Sequence, residues 1–221
     1  MKSTEKSNWL VPTGLIMLSV IPILAGSVRL LQIGSAAVIT PENARFMAAP
    51  LPVVLHIFSS IIYCVLGAFQ FSASFRRRNP DWHRTSGRIL IPLGLISALS
   101  GLWMTQFYPH PAIDGPLIPA NFDGRYLYAI RLLVGVAMAA FICLGFAAIR
   151  RRDIPSHRAW MMRGYALGIG AGTQAFTHIP WFLFASIHGE LARTICMAAG
   201  WSINLAVAEW LISRHIRQIK R

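Results

Sequence analysis

The feature that most constrains this chain is a series of six long apolar runs separated by short polar or basic turns. They cover about 10–32, 51–75, 86–108, 126–149, 158–185 and 192–213. Each is long enough, or nearly so, to cross the ~30 Å hydrocarbon core of a bilayer as a helix. In hydrocarbon every backbone N–H and C=O must find a partner within the protein, so such runs fold as helices. The expected fold class is an all-α integral membrane protein, a single multi-pass domain over residues 1–221. Hydrophobic residues make up 55% of the chain and the mean hydropathy is +0.51. A soluble enzyme is excluded by that composition. The first run follows Lys2 and Lys6 as a secretory signal would. Its apolar stretch is longer than a signal core and no small-residue cleavage site follows soon enough, so it reads as a retained helix.

The formal net charge of +13 would suit a nucleic-acid partner, but its distribution points to a membrane instead. With the N-terminus cytoplasmic, 16 of the 21 Lys and Arg fall on one side of the six spans. They are Lys2, Lys6, Arg76 to Arg78, Arg84, Arg88, Arg150 to Arg152, Arg158, Arg163, Arg214, Arg217, Lys220 and Arg221. Only Arg29, Arg45, Arg125, Arg131 and Arg193 fall on the other. This is the positive-inside bias, and it implies that both termini are cytoplasmic. The basic clusters would also attract anionic lipid head groups. Trp9, Trp82, Trp160 and Trp210 fit the inner interface, and Trp103 and Trp181 the outer. Cys64, Cys143 and Cys196 fall inside spans, as small buried apolar residues would, and no disulfide framework is indicated.

Runs two to five each carry a narrow stripe of small or polar residues at helical spacing. On the second it is His56, Ser60, Tyr63, Gly67, Gln70 and Ser74. On the third it is Gly87, Gly94 and Gly101, in register with His83. The fourth shows Arg131, Gly135, Met138, Ile142 and Gly145, and the fifth Met161, Gly164, Gly168, Ala171 and Ala175. Such stripes turn towards one another in lipid, because polar groups avoid hydrocarbon and small residues let backbones approach. The expected arrangement is a four-helix core of helices two to five, with helices one and six outside it. Thr40-Pro41-Glu42-Asn43 signals a helix start in the first external loop. The Pro-rich loop 109–124, with His110, Asp114 and Asp123, reads as an ordered external cap. Glu209 lies near the cytoplasmic end of the sixth run, where it would reach the interface or pair with a basic residue.

One basic motif occurs twice. Arg76-Arg77-Arg78-Asn79-Pro80-Asp81-Trp82-His83-Arg84 matches Arg150-Arg151-Arg152-Asp153-Ile154-Pro155-Ser156-His157-Arg158, and each precedes an apolar run with a further arginine one turn in, Arg88 and Arg163. Helix, basic turn, helix is thus a weak internal repeat. His157 and His178 are three heptads apart, about 31 Å along one helix face. By depth, His56 pairs with His178 near the outer surface, and His83 with His157 at the cytoplasmic mouths.

Two imidazoles facing each other across a bundle are what a six-coordinate haem iron needs. His56 and His178 would be its axial ligands, with His83 and His157 as a second pair. Arg29 and Arg131 would meet outer propionates, and Arg84, Arg88, Arg158 and Arg163 inner ones. Pro180 frees the carbonyl of Phe176, which could hold a ring in place. The bland alternatives are satisfied core histidines at His56 and His178, interfacial residues at His83 and His157, and pure helix packing for the Gly164–Gly168–Gly172 series.

His56, Gly67-Ala68-Phe69-Gln70-Phe71, His83-Arg84-Thr85-Ser86-Gly87-Arg88 and His157-Arg158-Ala159-Trp160-Met161-Met162-Arg163 together carry a resemblance. Over roughly residues 50 to 170 the chain resembles the bacterial predicted membrane proteins grouped as domain of unknown function 2306. That resemblance implies a multi-pass membrane protein and supplies no activity. A more distant likeness, of architecture only, is to the two-haem b-type cytochromes.

Two functions follow as expectations. One is a b-type haem protein passing electrons within the membrane, to or from a quinone or other redox partner, with Gln70 as a polar contact. The other is a non-redox bundle, a transporter or a lipid- or solute-binding subunit. There the paired His-Arg motifs (Arg84, Arg88, Arg158 and Arg163) hold an anionic head group or solute. A metal site at the outer histidines is a third possibility, although no carboxylate or thiol clearly joins them. No hydrolase, kinase or nucleotide-binding motif is present, and no nucleic-acid partner is expected.

Overall fold

The computed structural model describes residues 3–35, 37–41, 43–108, 124–184 and 186–219. The loop expected at 109–124 lies, but for Gly124, outside them. The described residues form ten helices and no strand: α1 (Ser3–Gly34), α2 (Ala44–Ala48), α3 (Pro50–Gln70), α4 (Ala73–Arg78), α5 (Pro80–Phe107), α6 (Arg125–Arg150), α7 (Ile154–Gly168), α8 (Gly170–Thr177), α9 (Ile179–Leu183) and α10 (Glu190–Ile219). Five are long and apolar enough to cross a membrane: α1 from Trp9, α3, α5, α6 and α10 as far as Gln218.

The second and third spans are cut differently from the expectation. Ser72 accepts the amide of Phe75 and so starts a new short helix, α4, ending the span at Gln70 rather than near residue 75. Proline at the first helical position starts α5 at residue 80, so His83 and Arg84 lie inside the helix. The signal at residues 40–43 does start a helix. Asn43 accepts the Thr40 amide at 2.7 Å, its own amide donates to the Val38 carbonyl at 3.0 Å, and α2 follows.

The fifth run is not one helix. It breaks at Ile169 and again at His178. Glycines flank Ile169, and each is about 1 kcal/mol less favourable in a helix than alanine. Pro180 lacks the N–H that would bond back to residue 176. The breaks also rotate the face. Below Ile169 the stripe meets the bundle, with Gly164 against Ile142 and Gly168 against Tyr63 and Met138. Above it, Gly170 meets Trp201 of α10, Gly172 meets Leu18 of α1, and Ala171 is exposed. His157 and His178 therefore do not share one uninterrupted face.

The buried cluster draws Tyr63 and Cys64 from α3, Leu90 and Ala98 from α5, Met138 and Ile142 from α6, and Tyr165 and Leu167 from α7. The small-residue stripes make these contacts. Tyr63 lies between Gly94 and Gly168, Gly67 receives the Tyr165 ring, and Gly135 receives Leu102. Gly87 is the exception and meets nothing. The outer helices are not mere additions. Leu15 and Leu18 of α1 and Trp201 and Leu205 of α10 pack onto the same cluster. Asn204 of α10 donates to the Ala166 carbonyl at 3.1 Å and accepts from Thr173 at 2.7 Å, so it clasps both sides of the Ile169 break. Cys64 and Cys196 are buried as expected, but Cys143 is exposed, because it lies on the outward face of α6.

Candidate functional site

The outer histidine pair is placed first. His56 presents Nδ1 to α5, where it meets the Ser97 carbonyl at 2.9 Å and Ser100 Oγ at 3.2 Å. One turn on, Ser60 and Ser97 share a hydrogen bond of 2.6 Å. His178 turns its Nδ1 to the Gln174 carbonyl of its own helix at 2.8 Å, not to Phe176 as expected from Pro180. The element carrying His178 packs on α1 and α10, and Gln174 donates to the Met197 carbonyl at 3.1 Å. Helix α1 touches both regions, through Gly26 against Ile57 and Leu18 against Gly172. The small residues that would admit a macrocycle are already faced by side chains. Gly101 meets the His56 ring, and Gly94 and Gly168 meet Tyr63. These residues do not fit a haem between α3 and the fifth run.

The arginines assigned to propionates have other engagements. Arg29 donates to Gln32 at 2.8 Å and lies over the Phe46 ring. Arg131 is half-buried on α6. Arg163 forms a two-pronged ion pair with Glu209, at 2.5 and 2.8 Å, and lies over Trp160. This realises the pairing expected of Glu209 and takes Arg163 out of the anion-binding set, because its guanidinium is already satisfied by a carboxylate fork.

The two basic motifs, in contrast, converge. His83 and His157 are each the fourth residue of their helix, α5 and α7. Their backbone amides bond back identically, to Asn79 and Asp153. The helices pack together, and His83 lies within electrostatic range of Arg76, His157 and Arg84. Arg76 lies within range of Arg158 as well. Burial first, then the charges of Arg158 and Arg77, hold its guanidinium below its ordinary value. The N-termini of two long helices add their partial positive charge at the same end.

Gln70 links the site to the bundle. Its side-chain amide donates to Ser86 Oγ at 2.6 Å, and its carbonyl accepts from Arg76 at 3.3 Å. Arg84 is exposed and pairs with Asp81 at 3.3 Å, and Arg88 is exposed on α5. Sequence reasoning missed Arg76 as a site residue, having taken the arginines after each histidine. The signal available was its position at the head of the first repeat.

Three carboxylates whose side chains are described lie at this end, and each is committed elsewhere. Glu209 holds Arg163, and Asp81 sits with Arg84. Asp153 accepts the Ser156 amide at 3.1 Å as the α7 cap, and the Ser156 hydroxyl first, then that amide, hold its carboxyl below the usual range. None of these three pairs with Arg76 or Arg158. No group of three or more His, Cys, Asp or Glu able to hold a metal occurs among the described residues.

The model of one protein family, predicted membrane protein (DUF2306), matches residues 53–212 of this chain. The chain belongs to that family. The match to DUF2306 runs further than the motif resemblance implied. It takes in the broken fifth run with His178 and most of α10, and leaves outside it α1, α2, the start of α3 and residues 213–221. The chain matches no curated protein and no solved structure.

Proposed function

We propose that this DUF2306 protein is a non-redox membrane bundle that binds an anionic group, a lipid head group or a solute, at a basic cytoplasmic mouth. The observation that carries the reading is the convergence of Arg76, His83, His157 and Arg158, drawn from both copies of the repeat, where no described carboxylate side chain pairs with Arg76 or Arg158. Positive charge held at a membrane surface attracts phosphate-bearing head groups and anionic solutes alike.

The chain crosses the bacterial inner membrane six times, α7 to α9 together supplying the fifth crossing, with both termini cytoplasmic. Support comes from the charge bias and from the backbone path. Ile169 bonds back to Tyr165 and His178 to Gln174, so the broken run keeps most of its backbone satisfied. Helices α3, α5, α6 and α7 form the core. Interrupted spans of this kind are found at the binding regions of transporters, which favours a solute-carrying role for the bundle.

The test is native mass spectrometry of the protein released from bilayers containing phosphatidylcholine with phosphatidylglycerol, followed by titration with inorganic phosphate. The reading expects a retained anionic lipid or a saturable anion, lost when Arg76 and Arg158 are both changed to Ala. Retention of lipids in bulk proportion, with no saturable anion binding, would overturn it.

A further inference from the structure

The two copies of the repeat are not equivalent at their histidines. His157 Nδ1 lies 2.9 Å from the Gly145 carbonyl. A carbonyl only accepts, so Nδ1 carries the hydrogen. In the neutral ring Nε2 then bears the lone pair, which repels an anion. Helix α6 makes this possible by running on past Gly145 to Arg150, so that a helical carbonyl stands beside the ring.

His83 has no such anchor. Its Nδ1 is buried without a hydrogen-bond partner. The position equivalent to Gly145 in the first copy is Phe71, where α3 has already ended and the chain is turning into α4. The carbonyl beside the turn, that of Gln70, accepts from Arg76 instead. Nothing therefore ties the hydrogen of His83 to Nδ1, and its neutral ring can present an N–H donor.

We infer that His83, with Arg76 and Arg158, is the histidine that contacts the anion, that His157 is a positioning residue, and that the ligand is a phosphate-type dianion. This rests on the reading of the basic mouth as an anion site. The class follows from the donors. They come from three elements, α4, α5 and α7, and so surround a group rather than flank one edge of it. A carboxylate offers its acceptors in one plane, whereas a tetrahedral oxyanion offers them in all directions. Two guanidinium groups that pair with no described carboxylate match two negative charges.

The experiment uses the full chain in phosphatidylcholine nanodiscs, titrated calorimetrically with inorganic phosphate and, separately, with acetate. A second set of nanodiscs carries phosphatidic acid. Saturable phosphate binding identifies a soluble source. Phosphatidic acid retained above its bulk fraction identifies a lipid source, and either result supports the class. His83→Leu should weaken binding roughly ten- to hundredfold, as expected for a lost hydrogen bond to a charged group. His83→Gln, which restores a donor near the Nε2 position, should recover most of it. His157→Asn, which keeps a donor for the Gly145 carbonyl, should weaken binding less than His83→Leu. Acetate binding as tight as phosphate would overturn the dianion class. Affinity unchanged in His83→Leu but abolished in the Arg76→Ala, Arg158→Ala double variant would overturn the His83 assignment and leave the mouth reading standing. Absence of phosphate and phosphatidic acid binding in the folded wild type would end both.

Discussion

The pinning of Tyr63 between two glycines gives the sharpest test of the packing. A Cβ added at Gly94 would lie 2.6 Å from Tyr63 Cε2 and 2.8 Å from Ile142 Cδ1. A Cβ added at Gly168 would lie 2.8 Å from Tyr63 Cε1 and 3.1 Å from Met138 Cε. These are opposite edges of one ring, so the ring cannot retreat from either without striking the other helix. Replacing glycine by alanine in a helix gains about 1 kcal/mol in propensity. Overpacking a filled core costs roughly 1–3 kcal/mol, and here no free side offsets it. Gly94→Ala and Gly168→Ala should therefore each be net destabilising, by about 1 kcal/mol and up to about 2, or a fall in Tm of ~2–8 °C. The double variant should lose at least ~0.5 kcal/mol more than the sum, because both new methyl groups press on one ring. Tyr63→Leu, which narrows the wedge, should reduce the penalty of both. Thermal unfolding in a single detergent, with a double-mutant cycle, measures all of this. A Gly94→Ala protein more stable than wild type would show that propensity dominates and would refute the argument.

Four further outcomes are expected. Tyr63→Phe should be neutral or stabilising in the same assay, because the Tyr63 hydroxyl is buried without a partner and deleting such a group removes a desolvation cost. Asn204→Leu should cost roughly 1–3 kcal/mol, from two interhelical bonds at the values found in bilayers, and should raise amide exchange around the Ile169 break. The Asp153 carboxyl is held low in the folded state by its Ser156 bonds. The unfolded chain then binds the proton more tightly, so the cap's contribution is present above the ordinary carboxylate range and fades as pH falls through the depressed value. Amide exchange at the start of α7 should accelerate over that acidic window, and Asp153→Ala should abolish the pH dependence. Finally, the purified protein, expressed with ample haem supply, should show no dithionite-reduced minus oxidised haem bands. Sharp bands lost in His56→Ala or His178→Ala would restore the cytochrome reading.

Much of the site was legible because its signals are local. The repeat of three arginines and a His-Arg pair showed that His83 and His157 hold equivalent places, and the structure sets both at the fourth residue of a helix. The stripe of His56, Ser60, Tyr63, Gly67 and Gln70 follows from helical periodicity, and those residues do meet α5 and α7. Which neighbour each outer histidine faces was not legible: His56 meets the Ser97 carbonyl of α5, and His178 the Gln174 carbonyl of its own run. Depth along two helices says nothing about which neighbour each ring faces, and α1 packs against both regions.

The chain's apolar runs, its charge bias and its small-residue stripes determine by themselves that it is a helical membrane protein and which faces of α3, α5 and α6 turn inward. Those are matters of hydrophobic transfer and of a fixed 3.6-residue turn, both of which act within one segment. Tertiary structure alone decided that the fifth run breaks at Ile169, with Asn204 clasping both sides, that Arg76 joins His83 and Arg158, and that Arg163 is taken by Glu209. Each of these depends on which side chain a distant helix supplies to a freed carbonyl or a buried charge. No periodicity within one segment encodes that choice, because it is made by the packing of segments far apart in the chain.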